Sequence, residues 1–203
     1  MTERKPTRSE MKHRAILDAA KRTFRELGIQ GTSMDELAAR AQVSKRTVYN
    51  HFASKEALIM ELIAELWQQA TLTAEHAYDP QAKLLPQLST LIEAEIATIS
   101  SHDYIELNRM AFEYFFHRPE ALRAELEKFS AVETGIKRWI KAARTDGRLR
   151  ELDAEIAAEQ IHSLIKGNSF WPQLMRVAPP LSLSERQALA NRTATLFLSH
   201  YQL

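Results

Sequence analysis

The feature that most constrains this chain is the run from Thr32 to Lys55, TSMDELAARAQVSKRTVYNHFASK. Within it, Ser33, Ser44 and Ser54 each precede a short apolar pattern, and serine is a preferred residue at the position that caps the start of a helix. The pattern predicts two short helices joined by a tight turn, followed by the opening of a third helix. Ser33 and Glu36 have the spacing of a capping box at the start of the first of these helices.

Apolar residues recur in this run at the spacing that keeps them on one side of a helix. Those of the first two helices are Met34, Leu37, Ala38, Ala41, Val48 and Phe52. The small Ala38 and Ala41 allow the two helices to cross closely, and Val43 can fill the gap at the turn. These features predict a helix-turn-helix.

The second short helix leaves a set of cationic, amide and hydroxyl side chains on its exposed side. They are Lys45, Arg46, Thr47, Tyr49, Asn50 and His51. A helix of this size fits the major groove of DNA, where Arg or Lys can read guanine and Asn can read adenine. Lys55 opens the next helix, where backbone N–H groups attract phosphate. Any small helical corner can carry caps and surface charge, but the agreement of pattern, turn and basic face favours DNA binding.

The run T-V-Y-N-H-F-A-S-K-E-A-L, Thr47 to Leu58, is preceded by G-T-S-M-D-E-L-A and closely resembles the DNA-binding domain of TetR-family transcriptional regulators. Gln42 departs from the glycine usual in the turn of that family. A non-glycine residue at positive φ costs about 1 kcal/mol, so we expect a local penalty in the same fold. The resemblance implies that Lys45, Arg46 and Asn50 read bases, that Ser33, Tyr49, His51 and Lys55 contact phosphates, and that Ser44 and Thr47 lie on the same DNA-binding surface.

Length and composition indicate a helical protein with a real core. The chain has 203 residues, 45% of them hydrophobic, and only five glycines. The absence of cysteine excludes disulfides and thiolate metal sites and fits a reducing compartment. No signal peptide and no apolar run of about 18 residues is present in the sequence. We therefore expect a soluble cytoplasmic protein of the all-α class that does not enter a membrane.

Charge is distributed unevenly along the chain. Residues 1–60 hold 12 Lys and Arg against 7 Asp and Glu, whereas residues 61–203 hold 15 against 19. A basic N-terminal region followed by an acidic remainder is typical of a DNA-binding domain joined to a domain with another role. We predict an N-terminal arm and helix-turn-helix domain over residues 1–54 and a ligand-binding and dimerisation domain over residues 55–203.

Helical periodicity continues to the end of the chain with no alternating strand pattern. The predicted helices cover residues 9–27, 34–41, 45–52, 55–78, 82–100, 103–117, 119–144, 153–176 and 184–201. The fourth helix connects the two domains and can act as a lever between them. Pro172 should kink the eighth helix or split off its last turn.

The second domain concentrates aromatic residues that could line an effector pocket. They are Trp67, Phe112, Phe115, Phe116, Phe170 and Trp171, with His117 beside them and Asn108, Arg109, His162 and Gln173 as further polar candidates. A helical bundle with several large aromatic side chains can enclose an apolar cavity closed by a few polar groups. Aromatic residues at helical spacing can equally form solid core, and both readings remain open. The TetR resemblance implies an internal pocket for a small apolar or aromatic molecule.

The last two predicted helices, the eighth and ninth, carry long apolar faces. They could pair with the same helices of a second copy, as they do in TetR-like dimers, or they could close the core of the monomer. A two-fold dimer would present two recognition helices to a palindromic operator with half-sites about 34–36 Å apart.

Other chemistries lack a pattern in this sequence. The histidines do not form H-x-x-x-H or H-E-x-x-H, so we expect no metal site. There is neither a glycine-rich phosphate loop nor G-x-S-x-G, and carboxylates such as Glu93 and Glu95 read as solvated. We expect no cofactor and no enzymatic activity.

The sequence therefore predicts a homodimeric repressor released from its operator by a small apolar or aromatic effector. The segments His117-Arg118-Pro119 and Phe170-Trp171-Pro172 resemble the AefR-like subgroup of the TetR family. Two alternatives remain: an activator or DNA binder without an effector, and an enzyme or interaction module with a vestigial helix-turn-helix.

Overall fold

The computed structural model describes residues 7–73, 78–129 and 133–203, and it confirms the all-α prediction. The helices are α1 (Arg8–Leu27), α2 (Met34–Arg40), α3 (Lys45–His51), α4 (Lys55–Thr73), α5 (Leu84–Ile99), α6 (His102–Phe115), α7 (Pro119–Phe129), α8 (Gly135–Thr145), α9 (Ala154–Ile165), α10 (Trp171–Leu174) and α11 (Leu183–Tyr201), with a π-helical turn over Lys166–Phe170 between α9 and α10. Within those described ranges, the β-structure is an isolated antiparallel bridge between Leu149 and Gln202.

The residues group by their contacts into two compact units. Unit 1 comprises Met1–Glu65 and Leu107–Ser130, and unit 2 comprises Leu66–Glu106 and Ala131–Leu203. Two helices, α4 and α6, contribute residues to both units. The predicted domains 1–54 and 55–203 were divided by function, and that division stays a prediction.

The core of unit 1 is built from the apolar faces that the sequence predicts. Ile16 and Phe24 of α1 are fully buried, as are Leu37 of α2 and Val48 of α3, and Phe52 is 1% exposed. Ala38 is also buried, which is consistent with close packing of α2 on α3. Burying such side chains stabilises a fold by about 1.5–3 kcal/mol each, so this core fixes the orientation of the short α3.

The starts of α2, α3 and α4 follow the predicted caps with one correction, whereas α1 begins at Arg8 after an unpredicted capping box of Thr7 and Glu10. The hydroxyls of Ser33, Ser44 and Ser54 each accept a hydrogen bond from the backbone N–H three residues later, at 3.1 Å. The capping box predicted for Ser33 is only half formed, because the carboxylate of Glu36 accepts from Nε of Arg40 at 2.6 Å instead of returning to the cap. An i, i+4 partner on the same helix competes successfully for that carboxylate.

The turn between α2 and α3 contains the strained position that the sequence indicates. Gln42 has φ 55°, in the left-handed region that favours glycine. Its backbone N–H donates to the carbonyl of Ala39 at 3.1 Å, and that of Val43 donates to the carbonyl of Ala38 at 3.0 Å. These two hydrogen bonds stabilise the turn although Gln42, unlike glycine, carries a side chain at this positive φ.

Replacing Gln42 with glycine is expected to stabilise the protein by up to about 1 kcal/mol, because the left-handed penalty disappears. Urea denaturation at equilibrium measures the change. Gln42→Ala is the matched control, since alanine keeps the same strain and should bring no gain. Equal stability of the glycine and alanine variants would contradict this account of the turn.

Unit 2 is organised around α5, whose predicted inward residues are buried. Leu88, Leu91, Ile92, Ile96 and Ile99 have exposures of 5% or less, and α5 packs chiefly on α11. α11 begins with the capping box predicted from Ser182 and Glu185. Asp153 caps α9 by accepting from the backbone N–H groups of Glu155 and Ile156.

Several predicted helix limits in the second half of the chain differ from the structure. The long helix expected over residues 119–144 is two helices, α7 and α8, because the Thr134 hydroxyl caps a new start by accepting from the N–H of Lys137 at 3.2 Å. α6 begins at His102 rather than at an Asp103 cap, and the Ser101 hydroxyl accepts from the N–H of Tyr104. The helix expected over residues 55–78 is described as α4 over Lys55–Thr73, residues 74–77 lie outside the described part of the chain, and Tyr78 is not helical.

The break predicted at Pro172 is confirmed. Proline has no backbone N–H, so the helical ladder cannot pass through it unchanged. The chain widens into the π-helical turn Lys166–Phe170 and then restarts as α10, with Pro172 in its first turn. Proline is tolerated there, because the first N–H groups of a helix have no partner within it.

Candidate nucleic-acid interface

α3 presents one polar face to solvent, on the side opposite its buried residue Val48. Lys45 and Tyr49 are one turn apart on this face, as are Arg46 and Asn50, and all four are exposed. Val48 on the opposite side is fully buried. The structure therefore brings together the four predicted side chains that a groove-binding helix would need.

The hydroxyl groups at the start of α2 and α3 are engaged in capping. The oxygens of Ser44 and Thr47 lie 2.8 Å apart, and the Ser44 oxygen also accepts from the N–H of Thr47. Ser33 caps α2 in the same way. Each hydroxyl retains further hydrogen-bonding capacity, so a contact with DNA from these residues stays a prediction.

Lys45 has an acidic neighbour that sequence reasoning missed. Its ammonium nitrogen lies 2.9 Å from the carboxylate of Asp35, and both side chains are 61% exposed. The hydrogen bond to Asp35 raises the pKa of Lys45. Asp35 is in the first turn of α2, so the pairing depends on how α2 and α3 cross and has no signal in the local sequence. In the free protein this carboxylate offsets one positive charge of the polar face.

Asp35→Asn is expected to strengthen binding to DNA of any sequence. The change removes a negative charge from the polar face and frees Lys45, so the plot of log affinity against log salt should steepen by roughly one unit. Fluorescence titrations on random DNA at several salt concentrations measure both effects. Glu26→Gln is a control, because it removes an exposed carboxylate that pairs with Arg40 instead of Lys45. Equal affinities and equal slopes for wild type and Asp35→Asn would show that the carboxylate of Asp35 does not oppose the DNA phosphates.

His51, at the end of α3, lies within a cluster of rings. Its ring is edge-on to that of His13 with centroids 5.4 Å apart, and His13 stacks on Phe52 at 4.9 Å. Nε2 of His13 is 2.7 Å from the carboxylate of Glu61. His51 is half-buried, so its predicted contact with phosphate would be limited to the exposed part of the ring.

Lys55 is placed differently from the other predicted DNA contacts. Its ammonium group donates to the carbonyls of Ile29 and Thr32, both at 2.8 Å. Burial lowers the pKa of Lys55. A phosphate contact through this group would require both hydrogen bonds to break. In the free protein Lys55 therefore ties the start of α4 to the loop before α2, and its phosphate contact stays a prediction.

The predicted effector residues are divided between the two units. In unit 1, Phe115 is 2% exposed, whereas Phe112, Phe116 and His117 are exposed. In unit 2, Phe170 is buried against Tyr104 and Trp171, with ring centroids 5.9 and 4.9 Å apart respectively. Trp67 lies outside the residues whose side chains are described. Phe115 and Phe170 are thus core residues of their own units.

Unit 2 contains a largely buried acid–histidine pair. Nε2 of His162 lies 3.0 Å from the carboxylate of Glu95, and these side chains are 18% and 11% exposed. Glu93 lies 3.3 Å from Arg186. The interpretation of Glu93 and Glu95 as solvated is therefore wrong, because α5 is covered by helices on more than one side. His162 was predicted as a polar pocket residue, and its acidic partner was not.

A groove runs between α9 and α11. Its cavity of about 820 Å³ is lined by Ile156, Glu159, Gln160, Ile161, Ser163, Leu164, Leu196, Phe197, Ser199, His200 and Tyr201. Ile156, Leu164 and Leu196 are 55%, 37% and 58% exposed, which is unusual for aliphatic side chains that lie together. The hydroxyl of Tyr201 donates to the amide oxygen of Gln160 at 3.0 Å and links the two helices.

In the described part of the chain, groups of three or more His, Asp or Glu residues that could hold a metal ion are absent. None of the described helices combines the length and apolarity needed to cross a membrane.

Two parts of the chain match known protein families. Residues 16–62 match the family described as bacterial regulatory proteins of the tetR family, and residues 86–203 match the AefR-like transcriptional repressor, C-terminal domain. The chain belongs to the TetR family. It is thus a transcriptional regulator with a helix-turn-helix DNA-binding domain, and the predicted resemblance is confirmed in both halves. Family membership also places it among regulators rather than enzymes.

Individual TetR-family proteins are similar over most of their length. The HTH-type transcriptional regulator AcrR of Shigella flexneri is 30% identical over 78% of this chain and 78% of its own. A TetR-family regulator from Pseudomonas syringae pv. tomato has a crystal structure with a TM-score of 0.71 and 37% identity, covering 96% of this chain and 98% of the other. One from Mesorhizobium loti has a TM-score of 0.77 and 26% identity, covering 98% and 100%.

Proposed function

We propose that this TetR-family regulator is a homodimeric repressor that leaves its operator when a small apolar or aromatic molecule binds. The observation that carries the proposal is the exposed face of α3. Two basic side chains, one amide and one phenol project from a seven-residue helix whose other side is locked into the core of unit 1. A rigid helix with this set of donors fits the major groove, and its side chains can distinguish bases there.

Within that face, Lys45, Arg46 and Asn50 are proposed to read bases. Arg and Lys bind guanine, and Asn binds adenine through paired hydrogen bonds. Tyr49 and the capping hydroxyls of Ser33, Ser44 and Thr47 are proposed to set the register by contacting the phosphate backbone. His51 and Lys55 are also proposed to contact phosphates. His51 would do so through the exposed part of its ring, and Lys55 would have to give up its hydrogen bonds to Ile29 and Thr32.

Dimerisation through α9 and α11 is supported by the groove between them. Ile156, Leu164 and Leu196 expose aliphatic surface on neighbouring helices, and a contiguous apolar patch of this kind marks an interaction site. A two-fold dimer buries the same patch on both copies. It would also supply two copies of α3, which a palindromic operator requires.

The effector is proposed to bind among the aromatic residues of unit 2, where Phe170 and Trp171 of the predicted set lie. The ring cluster of Tyr104, Phe170 and Trp171 in unit 2 supports an apolar or aromatic ligand, because aromatic side chains supply large apolar contact areas. Unit 2 also contains the polar pair Glu95–His162. A ligand with a hydrogen-bonding group would therefore find a polar partner in the same unit.

Release of the operator would follow from a shift in the populations of two dimer conformations. An effector that binds one dimer conformation better than the other favours that conformation by its difference in affinity. The proposed effector-bound form holds its two α3 helices at a separation that no longer matches consecutive grooves. α4 is the proposed lever, because it begins directly after α3 and continues from unit 1 into unit 2.

The test is a titration of purified protein against DNA flanking its own gene, at two salt concentrations and with random DNA as competitor. Binding that survives the competitor, with two subunits per site, is expected. Screening apolar and aromatic compounds for release of that DNA then tests the effector. If binding is weak and equal on the gene-flanking DNA and on random DNA, the next experiment is selection of bound sequences from a random library. Failure to enrich any sequence in that selection would refute a sequence-specific repressor.

A further inference from the structure

Around Tyr114, near the end of α6, unit 1 contains a cluster of charged side chains. The Tyr114 hydroxyl donates to the carboxylate of Glu56, in the first turn of α4. The guanidinium carbon of Arg118 lies 4.2 Å from the centre of the Tyr114 ring, and the ammonium nitrogen of Lys55 lies 5.1 Å from it. Arg118 also donates to the backbone carbonyl of Tyr114 at 2.9 Å. We call these four residues the Tyr114 cluster.

The ring and the hydroxyl of Tyr114 do different things in this cluster. The ring is 5% exposed and interacts with two cations, contacts that phenylalanine could also make. The hydroxyl serves the Glu56 carboxylate. Burial and this hydrogen bond together raise the pKa of Tyr114 to about 12, so the phenol is a neutral donor at physiological pH. A hydrogen bond to a charged acceptor is directional and stronger than one between neutral groups.

The cluster lies next to the recognition helix in the chain. α3 ends at His51, and Lys55 and Glu56 open α4 only a few residues later. The ammonium of Lys55 also donates to the carbonyls of Ile29 and Thr32, which lie in the loop between α1 and α2. The side chains around Tyr114 are therefore attached to the segments on both sides of the helix-turn-helix.

α6 is a continuous helix that starts in unit 2 and ends in unit 1. Its last turn carries Tyr114, so the hydroxyl joins the end of this helix to the start of α4. Hydrophobic packing alone would allow some sliding or rotation between two helix ends. A directional hydrogen bond to a carboxylate permits much less.

We propose that Tyr114 is a positioning residue for DNA recognition, and that its hydrogen bond to Glu56 fixes the angle at which α3 is presented. This inference rests on the proposed function as a dimer on a palindromic operator. In such a dimer, a small error in the angle of α3 changes the distance between the two recognition helices. The Tyr114–Glu56 bond thus determines which half-site spacing the protein accepts.

The experiment uses the full-length protein and an operator selected with wild type from random DNA. A series of duplexes then varies the distance between the half-sites by one and two base pairs in each direction, together with a duplex holding one half-site. Affinities are measured for wild type, Tyr114→Phe, Glu56→Gln and the control Tyr78→Phe. The control removes a phenol that donates to Asp146, and both of these residues belong to unit 2. Thermal melting verifies that each variant is folded.

Tyr114→Phe is expected to bind the best wild-type spacing about tenfold more weakly, the size of effect typical for loss of a hydrogen bond to a charged group. Its affinity should also vary less with spacing, while its affinity for one half-site stays within twofold of wild type. Glu56→Gln should show the same pattern more weakly, and Tyr78→Phe should match wild type. A merely structural role would lower all affinities by one common factor.

Two results would overturn the inference in distinguishable ways. If wild type has a sharp optimum and both cluster variants keep its shape, Tyr114 does not position α3, and the proposed function stands. If wild type itself binds every spacing and every sequence alike, the proposed function and the positioning role of Tyr114 fail together.

Discussion

Arg46→Ala is expected to weaken operator binding by about 5- to 150-fold, because one bidentate contact with a base contributes about 1–3 kcal/mol of discrimination. Arg46 is exposed on α3, one turn before Asn50, and the buried Val48 holds the helix from the other side. Truncation therefore removes a donor from the DNA-binding face without opening the core. Affinity for random DNA should fall much less, so the ratio of operator to random affinity should drop.

Competition titrations with operator and random DNA measure this ratio. Arg150→Ala is the matched control, because it removes an exposed arginine from unit 2. The control should leave both affinities unchanged. If Arg46→Ala instead weakened both DNAs by the same factor and reduced the salt slope by about one unit, Arg46 would be a phosphate contact.

Leu196→Glu is expected to convert the protein to monomers and to lower operator affinity by about 100-fold or more. Leu196 is 58% exposed and lines the groove between α9 and α11. In the proposed dimer, two-fold symmetry would bury two such carboxylates in an apolar interface. A buried charge without a partner costs about 3–5 kcal/mol, which corresponds to more than a hundredfold in the dimer dissociation constant. A monomer presents a single α3 and loses the second half-site.

Sedimentation measurements at several concentrations report the oligomeric state, and the same samples can be tested on operator DNA. Thr90→Glu is the control, because it adds a carboxylate to an exposed position of α5, outside the groove. A dimer that survives Leu196→Glu with unchanged strength would show that α9 and α11 do not pair through this groove.

Local sequence was sufficient for most helices of unit 1. α2 and α3 start immediately after Ser33 and Ser44, the caps that the sequence predicts. Even the positive φ of Gln42 was predictable from its place in the motif. These features depend on residues three or four positions apart, so a short stretch of sequence contains all the information they need.

The side-chain partners were harder to predict. Three of these contacts join residues that are distant in the chain. They are the pair Lys45–Asp35, the bonds from Lys55 to the carbonyls of Ile29 and Thr32, and the pair Glu95–His162. Which of them meet depends on helix packing angles, and rotating one helix by a single residue, about 100°, would present a different side chain. The division of the expected helix 119–144 into α7 and α8 was also missed, since apolar periodicity continues on both sides of Thr134.

The sequence by itself thus determined the fold class, the family, the recognition helix and its exposed face. Those properties follow from local periodicity, capping and a motif that occupies consecutive residues. Tertiary structure alone decided that Lys55 ties down the loop before α2, that Asp35 offsets Lys45, and that Tyr114 bonds to Glu56. The physical reason is that a charge or a hydroxyl is satisfied by whichever group packing brings within about 3 Å, and packing depends on the whole chain.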